Sequence, residues 1–280
     1  MKKYVKDLTV RAVERVHQRY VLIRLTDDER LPEMRPGQFV EVRIDGSPRT
    51  FLRRPISICN VDRATNELWL LVACIGDGTR RLGQLHEGDR LNCLLPLGKG
   101  WTLPRPLPVR EGSSHSQKQE QYSPLPHREG QGESLLLVGG GVGVAPLLYQ
   151  GRTLKESGVE PTFLLGARTK NDLLMVDAFR RVGRVLVTTE DGSEGERGFV
   201  TNHSVLQQEH FTLIQTCGPT PMMKAVARYA REKNIECEAS LENLMACGLG
   251  ACLCCVEKTT DGNLCVCKEG PVFNTNRLLW

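Results

Sequence analysis

The hydrophobic periodicity of this 280-residue chain changes once, and that change limits what each part can become. Up to about residue 103, short β-rich runs follow one another with turn signals and no helical stretch between them: Tyr20–Leu25, Gln38–Ile44, Glu67–Ala73 and Arg90–Leu95. Such a succession predicts a small antiparallel β-barrel or sandwich. From residue 134 the runs Leu135–Val138, Thr162–Leu165, Arg184–Val187 and Phe211–Gln215 alternate with amphipathic stretches, which predicts a parallel α/β region with helices on the sheet faces. Between them, 104–133 is rich in Pro, Gly, Ser, Gln and charge, with too little apolar surface to offset the entropy of ordering. Its Pro106–Gly112 stretch recurs imperfectly as Pro124–Gly130, as expected of a disordered low-complexity insertion. The expected organisation is therefore 1–103, the insertion 104–133, 134–235, and a small cysteine-bearing lobe, 236–280.

In that lobe Cys247, Cys252, Cys255 and Cys267 follow the C-x4-C-x2-C…C spacing by which plant-type ferredoxins hold a [2Fe-2S] cluster. Gly248 and Gly250 lie inside the first interval, where a loop wrapping a cluster must bring N–H groups near sulfide without a Cβ in the way. A structural zinc site is the competing reading, but zinc ligands usually come as two short C-x2-C pairs, and only Cys252/Cys255 forms one. Cys254 adjoins Cys255, and Cys265 lies two before Cys267, where an extended segment would point both thiols to one face. Spacing prefers Cys255 and leaves 265 and 267 open. Cys59, Cys74, Cys93, Cys217 and Cys237 stand singly in apolar surroundings and read mostly as small core residues.

Three further motifs suit dinucleotides. Arg53-Arg54-Pro55-Ile56-Ser57 offers a guanidinium fork for phosphate, a stiffened backbone and a hydroxyl for a ring nitrogen, a set suited to a flavin; a surface Arg pair on an edge strand would look the same. Gly76-Asp77-Gly78-Thr79 reads either as an anion-facing turn opening a helix or as an ordinary helix cap. Gly139-Gly140-Gly141-Val142-Gly143-Val144-Ala145-Pro146 joins a strand to a helix beginning near Leu147, the arrangement that carries backbone amides to a pyrophosphate. It does not spell G-x-G-x-x-G, and the next strand leads to Gly166-Ala167-Arg168 rather than to an acidic ribose clamp, so the standard Rossmann fingerprint is rejected. Cys217-Gly218-Pro219 sits at the carboxyl end of the last strand, where open α/β sheets bind ligands, and precedes a helix with Met222, Met223, Val226, Ala227 and Ala230 on its apolar face.

Together these motifs resemble the ferredoxin-reductase superfamily over nearly the whole chain outside 104–133. The ending Cys267-Lys-Glu-Gly-Pro-Val-Phe273 narrows the resemblance to the electron-transfer subunits of class 1B dihydroorotate dehydrogenases. That resemblance implies an N-terminal FAD-binding barrel, a central NAD-binding α/β domain and a C-terminal iron-sulfur lobe. It places FAD contacts on Arg54, Pro55, Ile56, Ser57, Leu71, Val72, Ala73, Gly78 and Thr79. NAD contacts fall on Gly139, Gly140, Gly141, Gly143, Cys217, Gly218 and Pro219, and cluster ligands on Cys247, Cys252, Cys255 and Cys267. It also implies a partner subunit bearing FMN, where dihydroorotate is oxidised, in a heterotetramer of two plus two, with electrons running from FMN through the cluster and FAD to NAD+. The partner contact is expected near the cysteine lobe and the tail Leu278-Leu279-Trp280, unless that tail packs on its own domain.

The residues agree with an electron carrier. NAD(H) exchanges hydride and a [2Fe-2S] centre one electron, so a flavin must stand between them. The six histidines are scattered and anchor no acid/base pair for a metabolite. A net charge of +4 without a basic, aromatic-laced stripe gives no sign of nucleic acid, and no run approaches the ~18 apolar residues of a membrane span. Eleven cysteines without a charged-then-apolar leader point to a reducing, cytoplasmic setting. Two rivals remain: a flavin and iron-sulfur subunit serving ferredoxin, hydrogenase or sulfur reduction, and a non-redox module holding zinc.

Overall fold

A computed structural model describes residues 2–47, 49–103 and 134–280; the expected insertion lies outside them. Six antiparallel strands form a closed barrel: β1 (Tyr4–His17), β2 (Tyr20–Thr26), β3 (Phe39–Val42), β4 (Arg54–Asp62), β5 (Glu67–Ala73) and β6 (Arg90–Leu97), ordered β1-β2-β5-β4-β3-β6. Alternation decides what faces inward. Val40 and Val42 on β3, Ile56 and Ile58 on β4, and Leu70 and Val72 on β5 fill the interior. The Arg-Pro motif, which the run pattern placed between strands, opens β4, with Pro55 opposite Glu41 of β3. The short helix α1 (Asp77–Leu82) follows β5 and buries Leu82 against the barrel core.

The second sheet has the order β10-β9-β8-β7-β11-β12-β15. Its strands β7 (Leu135–Gly140), β8 (Thr162–Ala167), β9 (Arg184–Thr189), β10 (Glu196–Arg197), β11 (Leu213–Cys217) and β12 (Glu236–Ser240) are parallel, as the alternating pattern predicts. Helices α2 (Ala145–Glu156), α3 (Val176–Arg180), α4 (Val205–Gln208) and α5 (Thr220–Glu232) connect them. Pro146 and Pro221 sit in the first turns of α2 and α5, where a missing N–H breaks no helical bond. On α5, Met223, Val226, Ala227 and Ala230 are buried at helical spacing, and Met222 is half-buried.

The cysteine lobe contributes a hairpin, β13 (Val256–Thr259) and β14 (Gly262–Cys265), the one-turn helix α6 (Val266–Glu269), and β15 (Val272–Asn274). That last strand joins the sheet antiparallel to β12. Phe39 and Leu97 from the barrel, Met223 and Ala239 from the α/β region, and Cys255, Cys267 and Phe273 from the lobe share one core, so the lobe wedges against both. Barrel and sheet also meet directly. Cys59, Leu71 and Trp101 pack with Leu147 and Leu148 of α2, and the Tyr149 hydroxyl donates to the Met34 carbonyl at 2.9 Å. The buried Gln150 and Gln215 and the half-buried Glu238 bond with one another and with Thr102, tying the end of the barrel segment to the sheet. In the tail, Leu278 is buried and Lys224 lies 5.9 Å over the Trp280 ring, while Leu279 is exposed. Cys59, Cys93 and Cys237 are buried, their thiols pushed up to about 12 chiefly by burial, which fits packing. Among the described residues no helix is long and apolar enough to cross a membrane.

Candidate functional site

The two arginines of the first motif take different roles. Arg53 turns into the barrel wall, where its guanidinium donates to the Glu41 and Asn92 carbonyls at 3.2 and 3.1 Å and to the Asn92 side chain. Arg54 instead lies beside the glycine turn: a Cβ on Gly78 would come within 3.3 Å of its Nε. The candidate flavin motif and the Gly78-Thr79 turn therefore meet. The Thr79 hydroxyl is used locally, accepting the Ile75 and Gly76 N–H groups at 3.2 and 3.1 Å, so it serves as a cap. Ile56 and Val72 point into the barrel core and Leu71 into the core shared with α2, which leaves backbone groups as what these three offer a ligand. Pro55 and Ser57 alternate with Ile56 onto the opposite face of β4, the face on which Cys59 packs toward the α/β region.

The second pair of motifs closes backbone to backbone. A Cβ on Gly143 would lie 2.5 Å from Gly218 Cα and N, and one on Gly140 2.7 Å from Met222 Sδ. Only glycine allows the Gly139–Gly143 loop to seat directly on the Cys217-Gly218-Pro219 turn. The loop itself is a 3-10 turn, Gly141–Val144, running into α2 at Ala145, two residues before the expected start. Beside it opens a cavity of about 610 Å³ lined by Gly140, Gly141, Arg168, Glu190, Pro219 and Met222 among others.

Cys217 is fully buried, opposite Gly139 in the sheet, and its Sγ lies 4.0 Å from Glu242 Oε1. Burial pushes both the thiol and the Glu242 carboxyl up. Glu242 is exposed as a residue, with its carboxyl turned toward the buried Cys217 thiol. Sequence reasoning missed it, although its place two residues past β12, beside the turn that ends β11, marks the same ligand-facing edge of the sheet.

The four candidate cluster ligands divide into two environments. Cys255 and Cys267 are buried, 2% and 1% exposed; Cys252 is exposed and Cys247 half-buried. The extended segment expected around 265–267 is instead the end of β14 followed by α6. With Val266 buried in the lobe core, the turn carries Cys267 inward beside Cys255 and leaves Cys265 half-buried near the Gly250 carbonyl, at 3.9 Å. Backbone amides already address the sulfurs: Leu249 N–H donates to Cys247 Sγ at 3.3 Å and Cys267 N–H to Cys255 Sγ at 3.4 Å. The amides of Leu249, Cys252 and Ala251 bring Cys247 down to about 6, toward the thiolate that iron requires, whereas burial pushes Cys267 up to about 12. Gly248 and Gly250, at φ +65° and +81°, turn the loop around these donors. A glycine cradle, amide-to-sulfur bonds and an all-thiol donor set fit an iron-sulfur cluster. Among the described residues no group of three or more His, Cys, Asp or Glu side chains is arranged to hold a single metal ion.

A second residue invisible to motif reading links the cluster loop to the barrel. Glu41 is 0% exposed, and neither carboxyl oxygen has a hydrogen-bond partner. A Cβ on Gly248 would lie 2.7 Å from its Cγ, and Pro55 is its cross-strand neighbour. Burial, more than the neighbouring Cys247, pushes Glu41 up to about 7 against the opposing pull of Arg53 and Arg54.

Comparison with known proteins supports the same division of labour. Residues 137–228 match an oxidoreductase NAD-binding domain, and 242–279 match the iron-sulfur cluster binding domain of dihydroorotate dehydrogenase B. The dihydroorotate dehydrogenase B (NAD+) electron transfer subunit of Shouchella clausii is 38% identical over 85% of this chain and 84% of its own length. This chain belongs to that family. The Lysinibacillus sphaericus member of the electron-transfer-subunit family is 37% identical over 88% of this chain and 87% of its own length. Among solved structures, an NADH-dependent reduced ferredoxin-NADP oxidoreductase studied for flavin-based electron bifurcation superimposes with TM-score 0.80 at 28% identity, covering 98% of this chain and 90% of that one. An Amycolatopsis cytochrome P450 reductase, at 24% identity and TM-score 0.63 over 84% of this chain and 68% of its own, shares the fold.

Proposed function

We propose that the chain is the electron-transfer subunit of an NAD+-dependent dihydroorotate dehydrogenase, taking electrons from a catalytic partner and delivering them to NAD+. The observation that carries this reading is the contact of Gly248, in the cluster loop, with Glu41, whose cross-strand neighbour is Pro55 of the flavin motif. The cluster loop thus packs on β3, the strand that pairs with the flavin-motif strand at the usual spacing of about 4.8 Å. The nucleotide loop meets the barrel at another strand, where a Cβ on Gly141 would lie 4.0 Å from the Tyr20 hydroxyl of β2.

In this arrangement Cys247, Cys252, Cys255 and Cys267 hold a [2Fe-2S] cluster, with the Leu249 and Cys267 amides directed at sulfur. Arg54 and the Gly78 turn receive the FAD phosphates, and Pro55 and Ser57 border the ring. The Gly139–Gly143 loop and Cys217-Gly218-Pro219 hold NAD(H). Bound FAD supplies the conversion between one-electron and hydride transfer. The fully buried Cys217 keeps bulk water from the inner side of the transfer edge. The partner is an FMN-bearing subunit that oxidises dihydroorotate, in a two-plus-two assembly, and it docks at the exposed rim of the cluster loop, where Leu249, Cys252 and Leu253 reach the surface.

The test is to analyse the purified chain for FAD, iron and acid-labile sulfide, then co-express it with such a subunit. Dihydroorotate-dependent NADH formation by the pair, and by neither alone, is the expected outcome. Stoichiometric zinc with no flavin would refute it. The 28%-identical oxidoreductase neighbour, similar over 98% of the chain, supports one second reading, in which the partner is a ferredoxin-linked subunit. Recovery of that partner in place of an FMN protein would favour it.

A further inference from the structure

The strand after the glycine loop ends in Arg168, so the acidic ribose clamp of the standard dinucleotide fold is missing from its usual place. The sheet order shows where a substitute must come from. The glycine loop leaves β7, and the Cys217-Gly218-Pro219 turn leaves β11 on one side of it. A dinucleotide with its pyrophosphate on that loop and its nicotinamide at that turn must lay its adenosine over the carboxyl ends of β8 and β9, on the other side. Two charged side chains stand there: Arg168 follows β8 and Glu190 follows β9. They are neighbours, since the Glu190 N–H donates to the Ala167 carbonyl at 3.1 Å, and both line the 610 Å³ cavity.

What sets Glu190 apart is that the nearby acids are already engaged. Asp172 accepts from the Thr169 hydroxyl at 2.9 Å and faces Arg19 and His17 at 3.8 and 3.9 Å. Asp191 accepts from the Ser193 hydroxyl and amide at 2.6 and 3.0 Å. Among the described residues, Glu190 is exposed and makes no side-chain hydrogen bond or ion pair. Below it, the Thr188 hydroxyl lines the same cavity and has no partner.

We propose that Glu190 is the nucleotide-specificity residue, its carboxylate accepting the two vicinal hydroxyls of the adenosine ribose and rejecting a 2′-phosphate. This rests on the reading that the cavity takes NAD(H). A carboxylate has two acceptor oxygens for two hydroxyl donors, and it repels a phosphate placed where the 2′-hydroxyl would sit. Arg168 pulls the other way, because a guanidinium beside a ribose is a ready phosphate fork. The pair makes specificity a contest that Glu190 decides.

The experiment uses the full chain with FAD and cluster bound, following anaerobic flavin bleaching by NADH and by NADPH, together with NAD+ and NADP+ dissociation constants. Wild type is expected to prefer NADH. Glu190→Gln should shift the NADPH-to-NADH rate ratio toward NADPH by about tenfold or more, and adding Arg168→Gln should remove most of that gain. Glu190 is exposed, so neither change threatens the fold, and the dissociation constants should shift in the same direction as the rates. Wild type reduced by NADH, with the Glu190→Gln ratio unchanged within about twofold, would overturn this proposal alone. A flavin that neither nucleotide bleaches in wild type would overturn the functional reading, and this proposal with it.

Discussion

Two glycine-bearing loops meet the barrel at different strands, the nucleotide loop at Tyr20 of β2 and the cluster loop at Glu41 of β3, and they are built differently. The Gly139–Gly143 loop is fixed by main chain on main chain: Gly143 sits against Gly218 and Cys217, and both walls belong to the parallel sheet. The Cys247–Cys255 loop rests on flexible side chains, Glu41 under Gly248 and Lys268 beside Gly250, with Cys252, Leu253 and Cys254 exposed. Interlocked backbone cannot give way without moving strands, whereas side chains can turn aside. The nucleotide loop is therefore shaped by the fold itself, whereas the cluster loop is expected to draw its cohesion from a bound cluster.

The sharpest way to break this contrast is to remove a buried thiol. Cys255→Ser or Cys267→Ser is expected to reduce iron and sulfide to background and abolish transfer to the partner, while NADH still bleaches the flavin; loss of flavin bleaching as well would show that the two sites are not independent. Gly143→Ala should do the reverse. Its Cβ has no room beside Gly218, so NADH-driven bleaching should fall by about a hundredfold and stability by about 1–3 kcal/mol, with the cluster spectrum unchanged. Stopped-flow absorbance and thermal melts would check both.

Gly248→Ala should cost less, about 1–2 kcal/mol from its left-handed backbone, because the Glu41 side chain can move aside. Its mark should appear in the cluster's EPR spectrum and leave NADH kinetics alone. Glu41 sharpens the comparison through pH. Its folded value, raised to about 7 by burial, lies above that of an unfolded carboxylate, so its contribution is fully present below about pH 4.5 and lost as pH rises through 7. Glu41→Gln should therefore match wild type in melting at pH 5 and exceed it by about 1–3 kcal/mol at pH 8. Parallel melting curves at the two values would contradict the assignment of an unpartnered buried carboxylate.

The features legible in the sequence are those whose chemistry lies in backbone and spacing. The barrel runs, the alternating sheet, the glycine loop, the Cys217-Gly218-Pro219 turn and the cysteine lobe all announce themselves through turn residues and intervals. Side-chain direction is less legible. Nothing in Arg53-Arg54 says that the first braces Asn92 while the second faces Gly78, because strand register assigns those roles. Cys265 and Cys267 read as an extended pair until the burial of Val266 turns the chain into α6. Glu41 and Glu242 gain meaning only from neighbours about 200 and 25 residues away in sequence, Gly248 and Cys217, which no local pattern encodes. The joining of β15 to the main sheet is likewise a long-range pairing.

The central claim is that the three sites act in series, with the flavin between nucleotide and cluster. Its most direct test is anaerobic reduction by NADH of the cluster-loaded chain, with FAD bound and with FAD stripped, followed by the EPR signal of the reduced cluster. The signal should rise after flavin bleaching in the first sample and stay absent in the second. Equal cluster reduction in both would contradict the account.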